Sequence, residues 1–98
     1  MPYSVQCTLK NGHIDGINAI AFSPCGRYLV SGGNDRLLIV WSTKGEVGEL
    51  CHSLQMESSI ISVVWKDKSA VFFGCENGKL YLCENLLVFA AQFLNRFF

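Results

Sequence analysis

The sequence predicts an all-β protein built from short antiparallel strands, and three observations carry that prediction. Apolar runs of about four to six residues, rich in Ile, Val, Leu, Phe and Tyr, follow one another closely. Clusters of Gly, Pro, Asn and Asp, which favour tight turns, separate these runs. The whole arrangement then recurs after about 43 residues, a period typical of repeat architectures.

The first copy of this arrangement predicts a four-stranded meander. Its strands are expected at residues 17–22, 28–31, 37–41 and, more weakly, 47–54. Ser23-Pro24-Cys25-Gly26 predicts the first turn, because Pro presets φ at one turn position and Gly accepts a positive φ at another. Residues 32–35, Gly-Gly-Asn-Asp, predict the second turn. These closely punctuated runs indicate antiparallel strands rather than helices or a parallel sheet.

The second copy predicts strands at 60–65, 70–74 and 79–83, separated by turns at 66–69 and 75–78. Superposition of the two copies pairs the start, middle and end of each unit: Ile17 with Ile60, Phe22 with Trp65, Gly32 with Gly74, Asp35 with Asn77 and Trp41 with Cys83. The sequence therefore predicts two similar sheets rather than one.

Residues in the first copy also carry a family resemblance. Gly12-His13, the Ser-Pro-x-Gly turn, Ser31-Gly32, Asp35 and Trp41 together resemble a WD40 repeat, although the dipeptide that names the family reads Trp41-Ser42 here. The resemblance implies an incomplete WD40 β-propeller of two four-stranded antiparallel blades. It further implies a hydrogen-bonded structural tetrad of His13, Ser31, Asp35 and Trp41. Such a closed network would satisfy four buried polar side chains together.

The second copy departs from the family pattern. Met56-Glu57 stands at the place of Gly-His, Phe73 at that of Ser31 and Cys83 at that of Trp41. No tetrad is therefore expected there, and Trp65 is expected to stabilise the second unit through apolar packing alone. The resulting division is an orphan outer strand of a preceding blade at 1–11, the first blade at 12–55, a degenerate second blade at 56–84 and an apolar tail at 85–98.

The two ends of the chain are expected to form different kinds of secondary structure. Residues 3–9 alternate apolar and polar side chains, as a half-buried strand does. In the tail, Asn85 as cap and an apolar stripe at spacings of three and four favour an amphipathic helix. The alternative is that 86–90 form the outer strand of the second blade. The tail is too short and too interrupted by polar residues to span a bilayer.

The amino-acid composition disfavours several classes of partner and site. The 98 residues are 50% hydrophobic and 16% charged, which suits one globular domain at most. Eight basic and eight acidic residues balance, so neither nucleic acid nor an anionic membrane is favoured as a partner. Five cysteines without a Cys-x-x-Cys pair argue against a disulfide framework or a zinc site and favour free buried thiols. The N-terminus lacks the pattern of a secretory signal, so an intracellular location, cytoplasmic or nuclear, is expected.

The resemblance implies a protein-interaction scaffold without cofactor, metal or small-molecule substrate. Its partners would be other proteins, or copies of the chain that complete a ring. By resemblance, the partner-binding rim comprises residues on the loops before the inner strands and at the turns between the second and third strands: Asn18, Asn34, Ser59, Ile61 and Glu76. The competing interpretation of these positions is ordinary solvated loop.

The sequence leaves three alternatives to an intact scaffold. A substrate-receptor subunit of a ubiquitin ligase would use a Trp-Asp-x-Arg segment, which reads Trp41-Ser42-Thr43-Lys44 here. A hydrolase could use His13, Ser31 and Asp35, but Ser31 lacks the Gly-x-Ser-x-Gly elbow. Because closed propellers have about four to eight blades, the chain is also expected to be a truncated, even non-functional, product of a longer propeller gene, or else to associate. The outer blade faces, which carry Phe22, Tyr28, Phe72 and Tyr81, are expected to lack a neighbouring blade within the chain. Those expectations assign the chain no catalytic residue.

Overall fold

We describe Leu9, residues 12–43 and residues 49–86 in a computed structural model of the chain. This part of the chain contains seven strands, which are β1 (Ile17–Phe22), β2 (Tyr28–Gly33), β3 (Leu37–Ser42), β4 (Glu49–Gln55), β5 (Ile60–Asp67), β6 (Ala70–Cys75) and β7 (Leu80–Cys83). The starts of five strands coincide with the predicted starts, and β4 and β7 begin within two residues of theirs. Several strands continue one or two residues beyond their predicted ends.

The strands form two antiparallel sheets in which neighbours in sequence are neighbours in space. Sheet 1 has the order β1-β2-β3-β4, and sheet 2 has the order β5-β6-β7. The predicted all-β fold of antiparallel blades is confirmed. The amphipathic helix expected in the tail and the alternative fourth strand of sheet 2 at 86–90 lie outside the described residues, apart from Asn85 and the buried Leu86. The predicted strand at 3–9 likewise lies outside them apart from Leu9.

The turns follow the chemistry of their residues. In the β1–β2 turn, the Gly26 N–H donates to the Ser23 carbonyl at 2.9 Å, and Gly26 has φ of 77°. This left-handed conformation favours glycine because it has no Cβ. In the β6–β7 turn, Gly78 has φ of 88° and its N–H donates to the Cys75 carbonyl at 3.0 Å. Both glycines therefore close the hairpins that the sequence predicts.

The main hydrophobic core lies between the two sheets. Its buried members come from both sheets and from the start of the tail, and they are Val30, Leu38, Val40, Leu54, Ile60, Val71, Phe73, Cys75, Cys83 and Leu86. A smaller cluster of Leu29, Ile39 and Trp41 lies on the opposite face of sheet 1, with Leu9 and Leu37 against it. Burial of these side chains is the main favourable contribution to packing the sheets together.

Strand β5 of sheet 2 lies against β1 and β2 of sheet 1. A Cβ built on Gly32 would overlap the side chain of Ile60 and would lie 3.6 Å from Cγ1 of Val63. Glycine at position 32 therefore lets the edge of sheet 2 lie against the backbone of sheet 1.

Two aromatic side chains point differently from the sequence-based expectation. Tyr28 and Tyr81 were expected on outer faces that lack a neighbouring sheet. Both instead pack against the core between the sheets, and the rings of Tyr81 and Phe73 stack with centroids 5.3 Å apart. Strand alternation separates two faces of a strand, but it does not say which face meets the other sheet.

Candidate functional site

The four side chains of the implied tetrad come from four different segments of the first copy. His13 lies in the loop before β1, Ser31 in β2, Asp35 in the β2–β3 turn and Trp41 in β3. The structure brings all four together. Trp41 Nε1 donates to Ser31 Oγ at 2.8 Å, and Ser31 Oγ lies 2.6 Å from His13 Nε2. His13 Nδ1 lies 3.0 Å from each carboxylate oxygen of Asp35.

One arrangement of hydrogens satisfies this network. The Trp41 indole N–H can only donate, so Ser31 Oγ accepts it and donates its own hydrogen to His13 Nε2. A neutral His13 then carries its hydrogen on Nδ1, where it donates to Asp35. This assignment follows from the donor and acceptor inventory and connects the loop before β1 to β2 and β3.

The Asp35 carboxylate also holds the backbone around it. Its oxygens accept the N–H of Ile14 at 2.9 Å and the N–H of Leu37 at 3.2 Å. Burial alone raises the pKa of this carboxyl, but the hydrogen bonds from Ile14, His13 and Leu37 outweigh burial and bring its pKa below the usual value. Asp35 is therefore held in its charged form, which is the form that accepts these hydrogen bonds.

The same contacts form a chain of Ser, His and Asp side chains, the residue set of a hydrolase. Ser31, however, is only 2% exposed, and its Oγ already accepts the hydrogen bond from Trp41. A nucleophile must reach a substrate carbonyl, and this hydroxyl faces a packed indole. The geometry therefore favours a structural role for the tetrad.

The predicted rim residues lie around the junction of the two sheets. Asn18 Nδ2 donates to Asn34 Oδ1 at 2.8 Å and to the Ile60 carbonyl at 2.9 Å. The Ser59 hydroxyl donates to the Asn34 carbonyl at 3.4 Å, and the Glu76 N–H donates to the Ser59 carbonyl at 2.9 Å. These hydrogen bonds connect the turn regions of both sheets into one surface.

Apolar side chains are exposed beside this polar network. Ile61 follows Ile60 in β5 and is 51% exposed, while Ile14, in the loop that Asp35 holds, is 89% exposed. Asn18, Asn34 and Glu76 are exposed as well. Exposed Ile side chains next to fixed amide and backbone groups form the kind of mixed surface that protein interfaces use.

Trp65 makes a polar contact with sheet 1 that the sequence does not predict. That side chain was expected to act through packing alone, but its Nε1 donates to the Ala21 carbonyl of β1 at 2.9 Å. The expectation was wrong because an indole N–H in a partly buried site needs an acceptor, and the edge of sheet 1 supplies one. The repeat pairing of Trp65 with Phe22 placed the residue on an inner strand, but that pairing did not identify its partner.

The cysteines and His52 of β4 lie mostly in packed surroundings, and His52 is buried. Cys75 and Cys83 are buried, and burial raises the pKa of Cys83 to about 11. Cys25 is exposed in the β1–β2 turn, so the expectation of a buried thiol is wrong there.

Among the described residues, no group of three or more His, Cys, Asp or Glu side chains has the arrangement of a metal site. In the same part of the chain, no helix has the length and apolar character needed to cross a bilayer.

Comparison with known proteins identifies a match in the first copy. The family model for the WD domain, G-beta repeat (WD40), matches residues 4–42. Ribosomal RNA-processing protein 9 of Saccharomyces cerevisiae is 61% identical over 33 residues, which cover 34% of this chain and 6% of that protein. Ribosome biogenesis protein BOP1 homolog of Drosophila persimilis is 27% identical over 77 residues, which cover 79% of this chain and 8% of that protein.

A solved structure resembles both sheets together. The crystal structure of the computationally designed Ika4 protein matches with a TM-score of 0.70 and 26% sequence identity. The match covers 85% of this chain and 49% of the designed chain. By contrast, the chain spans less than a tenth of the length of the two natural relatives, at 6% and 8%.

Proposed function

We propose that this chain, whose residues 4–42 match the family model of the WD40 repeat, is a non-catalytic scaffold whose rim binds another protein. The rim consists of Asn18, Asn34, Ser59, Ile61 and Glu76. The observation that carries this proposal is the hydrogen bonding from Asn18 to both Asn34 and the Ile60 carbonyl. It connects residues from two sheets into a single surface, and a partner bound there would contact both sheets at once.

The rim is already ordered by its own contacts, which favours binding. The Asn18 side-chain amide donates to Asn34 Oδ1, and the Asn34 N–H donates to the Gly16 carbonyl at 2.8 Å. A partner would therefore immobilise few additional side chains there, which lowers the entropic cost of association. Ile61 and Ile14 supply exposed apolar area beside these polar groups. The proposed partner presents an apolar side chain flanked by hydrogen-bonding groups.

Burial of Ser31 supports the non-catalytic part of the proposal. The residue set His13, Ser31 and Asp35 is engaged with Trp41 and with the backbone of its own repeat. We expect Ser31→Ala to lower stability rather than to abolish a reaction. A hydrolytic activity that Ser31→Ala removes while the fold stays intact would contradict this assignment.

We further propose an intracellular location, cytoplasmic or nuclear. The support is that the names of the two natural relatives place those proteins in ribosomal RNA processing and ribosome biogenesis. Localisation of the tagged full chain by fluorescence microscopy tests this part separately from binding. Secretion into the medium would contradict it.

The rim proposal is tested by comparing two charge-altering variants of the full chain. Ile61→Glu places a charge on the rim, whereas Lys68→Glu changes an exposed residue of the β5–β6 turn at the other end of sheet 2. Proteins captured by the wild-type chain are identified, purified and measured for direct binding to all three chains by calorimetry. We expect Ile61→Glu to weaken binding about tenfold or more, which is about 1.4 kcal/mol, and Lys68→Glu to leave it unchanged.

Two outcomes would contradict the rim assignment. One is equal affinity of wild type and Ile61→Glu for every protein that binds directly. The other is a loss caused by Lys68→Glu alone, which would place the contact at the opposite end of the sheet. Circular dichroism of each variant checks that the fold is retained.

A further inference from the structure

The two-sheet unit exposes apolar side chains on both of its outward faces. On sheet 2, Val64, Phe72 and Leu82 are directly opposite one another in the register and therefore share a face. Val64 is 58% exposed and Leu82 is 41% exposed. On sheet 1, Ile20 and Phe22 of β1 are 59% and 61% exposed. We call the first set the sheet 2 face and the second set the β1 face.

The sheet 2 face corresponds in the repeat to a row of residues in sheet 1 that faces the core between the sheets. In sheet 1, Ala21, Val30 and Val40 are opposite one another in the register. They correspond in the repeat to Val64, Phe72 and Leu82. Val30 and Val40 are fully buried between the sheets, whereas Val64 and Leu82 are exposed.

Strand β5 covers the part of that row that lies on β1 and β2. Trp65 Nε1 donates to the Ala21 carbonyl, and Val63 lies over Gly32 in β2. Both side chains pack against the core between the sheets. Strand β5 lies against β1 and β2, so the contact uses the inner two strands of sheet 1.

The β1 face corresponds in the repeat to the residues of β5 that pack on sheet 1. In the repeat, Ile20 corresponds to Val63 and Phe22 corresponds to Trp65. Their side chains lie on the face of sheet 1 directed away from sheet 2, because neighbouring Ala21 faces the core between the sheets. The molecule thus carries, on opposite sides, both halves of a contact that it already makes once internally.

We propose that this face-to-face contact recurs between two copies of the chain, arranged head to tail. Ile20 and Phe22 of one copy pack on Val64, Phe72 and Leu82 of the next, with Phe22 over Val64 as Trp65 lies over Ala21. The occupant is a second copy because both complementary surfaces belong to one chain and continue the pattern of its internal interface. Such a heterologous contact gives a closed ring or an open chain, according to the rotation between copies.

The β1 face is exposed although another part of the same side of sheet 1 is covered. Leu9 packs against the cluster of Leu29, Ile39 and Trp41, which lies on the same side of sheet 1 as the β1 face. In the internal contact, β5 is the strand of sheet 2 that lies nearest to β1 and β2, so in the equivalent contact β1 makes the main approach. The exposed Ile20 and Phe22 lie on that strand.

The test exploits the two different halves of the contact. Phe22→Lys alters the β1 face and leaves the sheet 2 face intact, whereas Val64→Asp does the reverse. Both residues are exposed in the single chain, so each variant is expected to fold. Ile14→Lys, at an exposed position on neither face, is the matched control.

Sedimentation velocity measures the mass of each full-length chain from about 1 to about 100 µM, the range in which an interface of modest size assembles. We expect wild type and Ile14→Lys to exceed the single-chain mass of 10.9 kDa as concentration rises. Phe22→Lys and Val64→Asp should each remain at that mass. An equimolar mixture of those two variants should form a one-to-one dimer, because each supplies the half that the other lacks.

Other outcomes would overturn the proposal. A wild-type chain at the single-chain mass throughout the range rules out self-association. Association of Phe22→Lys alone, with Val64→Asp monomeric, indicates that two sheet 2 faces pair symmetrically instead. Two monomeric variants that form no dimer on mixing also contradict head-to-tail contact. This inference uses faces distinct from the rim, so loss of partner binding by Ile61→Glu with unchanged mass separates the two proposals.

Discussion

Replacing Trp41 with alanine tests whether the tetrad stabilises the first sheet. The indole is 3% exposed and packs with Leu29 and Ile39. It also lies so close to Gly12 that a Cβ built there would be 2.5 Å from Trp41 Cζ2. Truncation of a side chain packed this tightly leaves a large cavity, and Trp→Ala in such a site costs about 3 to 5 kcal/mol.

The polar part of that cost can be measured separately. Trp41→Phe keeps an aromatic ring and removes the N–H that Ser31 Oγ accepts at 2.8 Å. Loss of one buried partner costs about 1 to 3 kcal/mol. Ser31→Ala removes the other end of the bond and the hydroxyl beside His13. If the residues act as one network, the double variant should show a coupling energy of about 0.5 to 3 kcal/mol.

Urea unfolding at a fixed protein concentration, followed by circular dichroism, gives these free energies. The fixed concentration matters because self-association would add a mass-action contribution to the apparent stability. A loss of less than about 1 kcal/mol for Trp41→Ala would refute the cavity argument. A coupling energy of zero between Trp41 and Ser31 would refute the network, even if the ring itself proved important.

Two further predictions concern the contact between the sheets, and a third concerns the buried His52 of β4. Trp65→Phe should cost about 1 kcal/mol in urea unfolding, because the substitution removes the hydrogen bond to β1; an unchanged free energy of unfolding would mean that the indole N–H contributes nothing. Gly32→Ala should cost about 1 to 3 kcal/mol because its Cβ would overlap Ile60, whereas Gly74→Ala, whose Cβ would meet only a serine hydroxyl, should cost less; equal costs would contradict the close approach. Burial lowers the pKa of His52 to about 4 from 6.5, so the unfolded chain takes up a proton on His52 at a higher pH than the folded chain does. Lowering the pH should therefore reduce the free energy of unfolding. Between pH 7 and pH 5 the loss should be about 2 kcal/mol and should shrink in His52→Gln, and a pH-independent free energy in this window would contradict it.

The sequence by itself determined the strands and turns. Strand β1 ends at the predicted residue because the turn that follows contains Pro24 and Gly26, whose backbone preferences are local. The spacing of His13, Ser31, Asp35 and Trp41 pointed to a single network through its resemblance to a repeat, and the structure brings those side chains within hydrogen-bonding distance.

Only the tertiary structure decided how the two sheets meet. The acceptor of Trp65 is 44 positions away and the Ile60 carbonyl is 42 positions from Asn18, while the directions of Tyr28 and Tyr81 depend on the core that both sheets share. Alternation along a strand defines two faces but cannot say which one a second sheet will cover. That choice is made by packing, because burial of apolar area depends on the whole facing surface rather than on any local pattern.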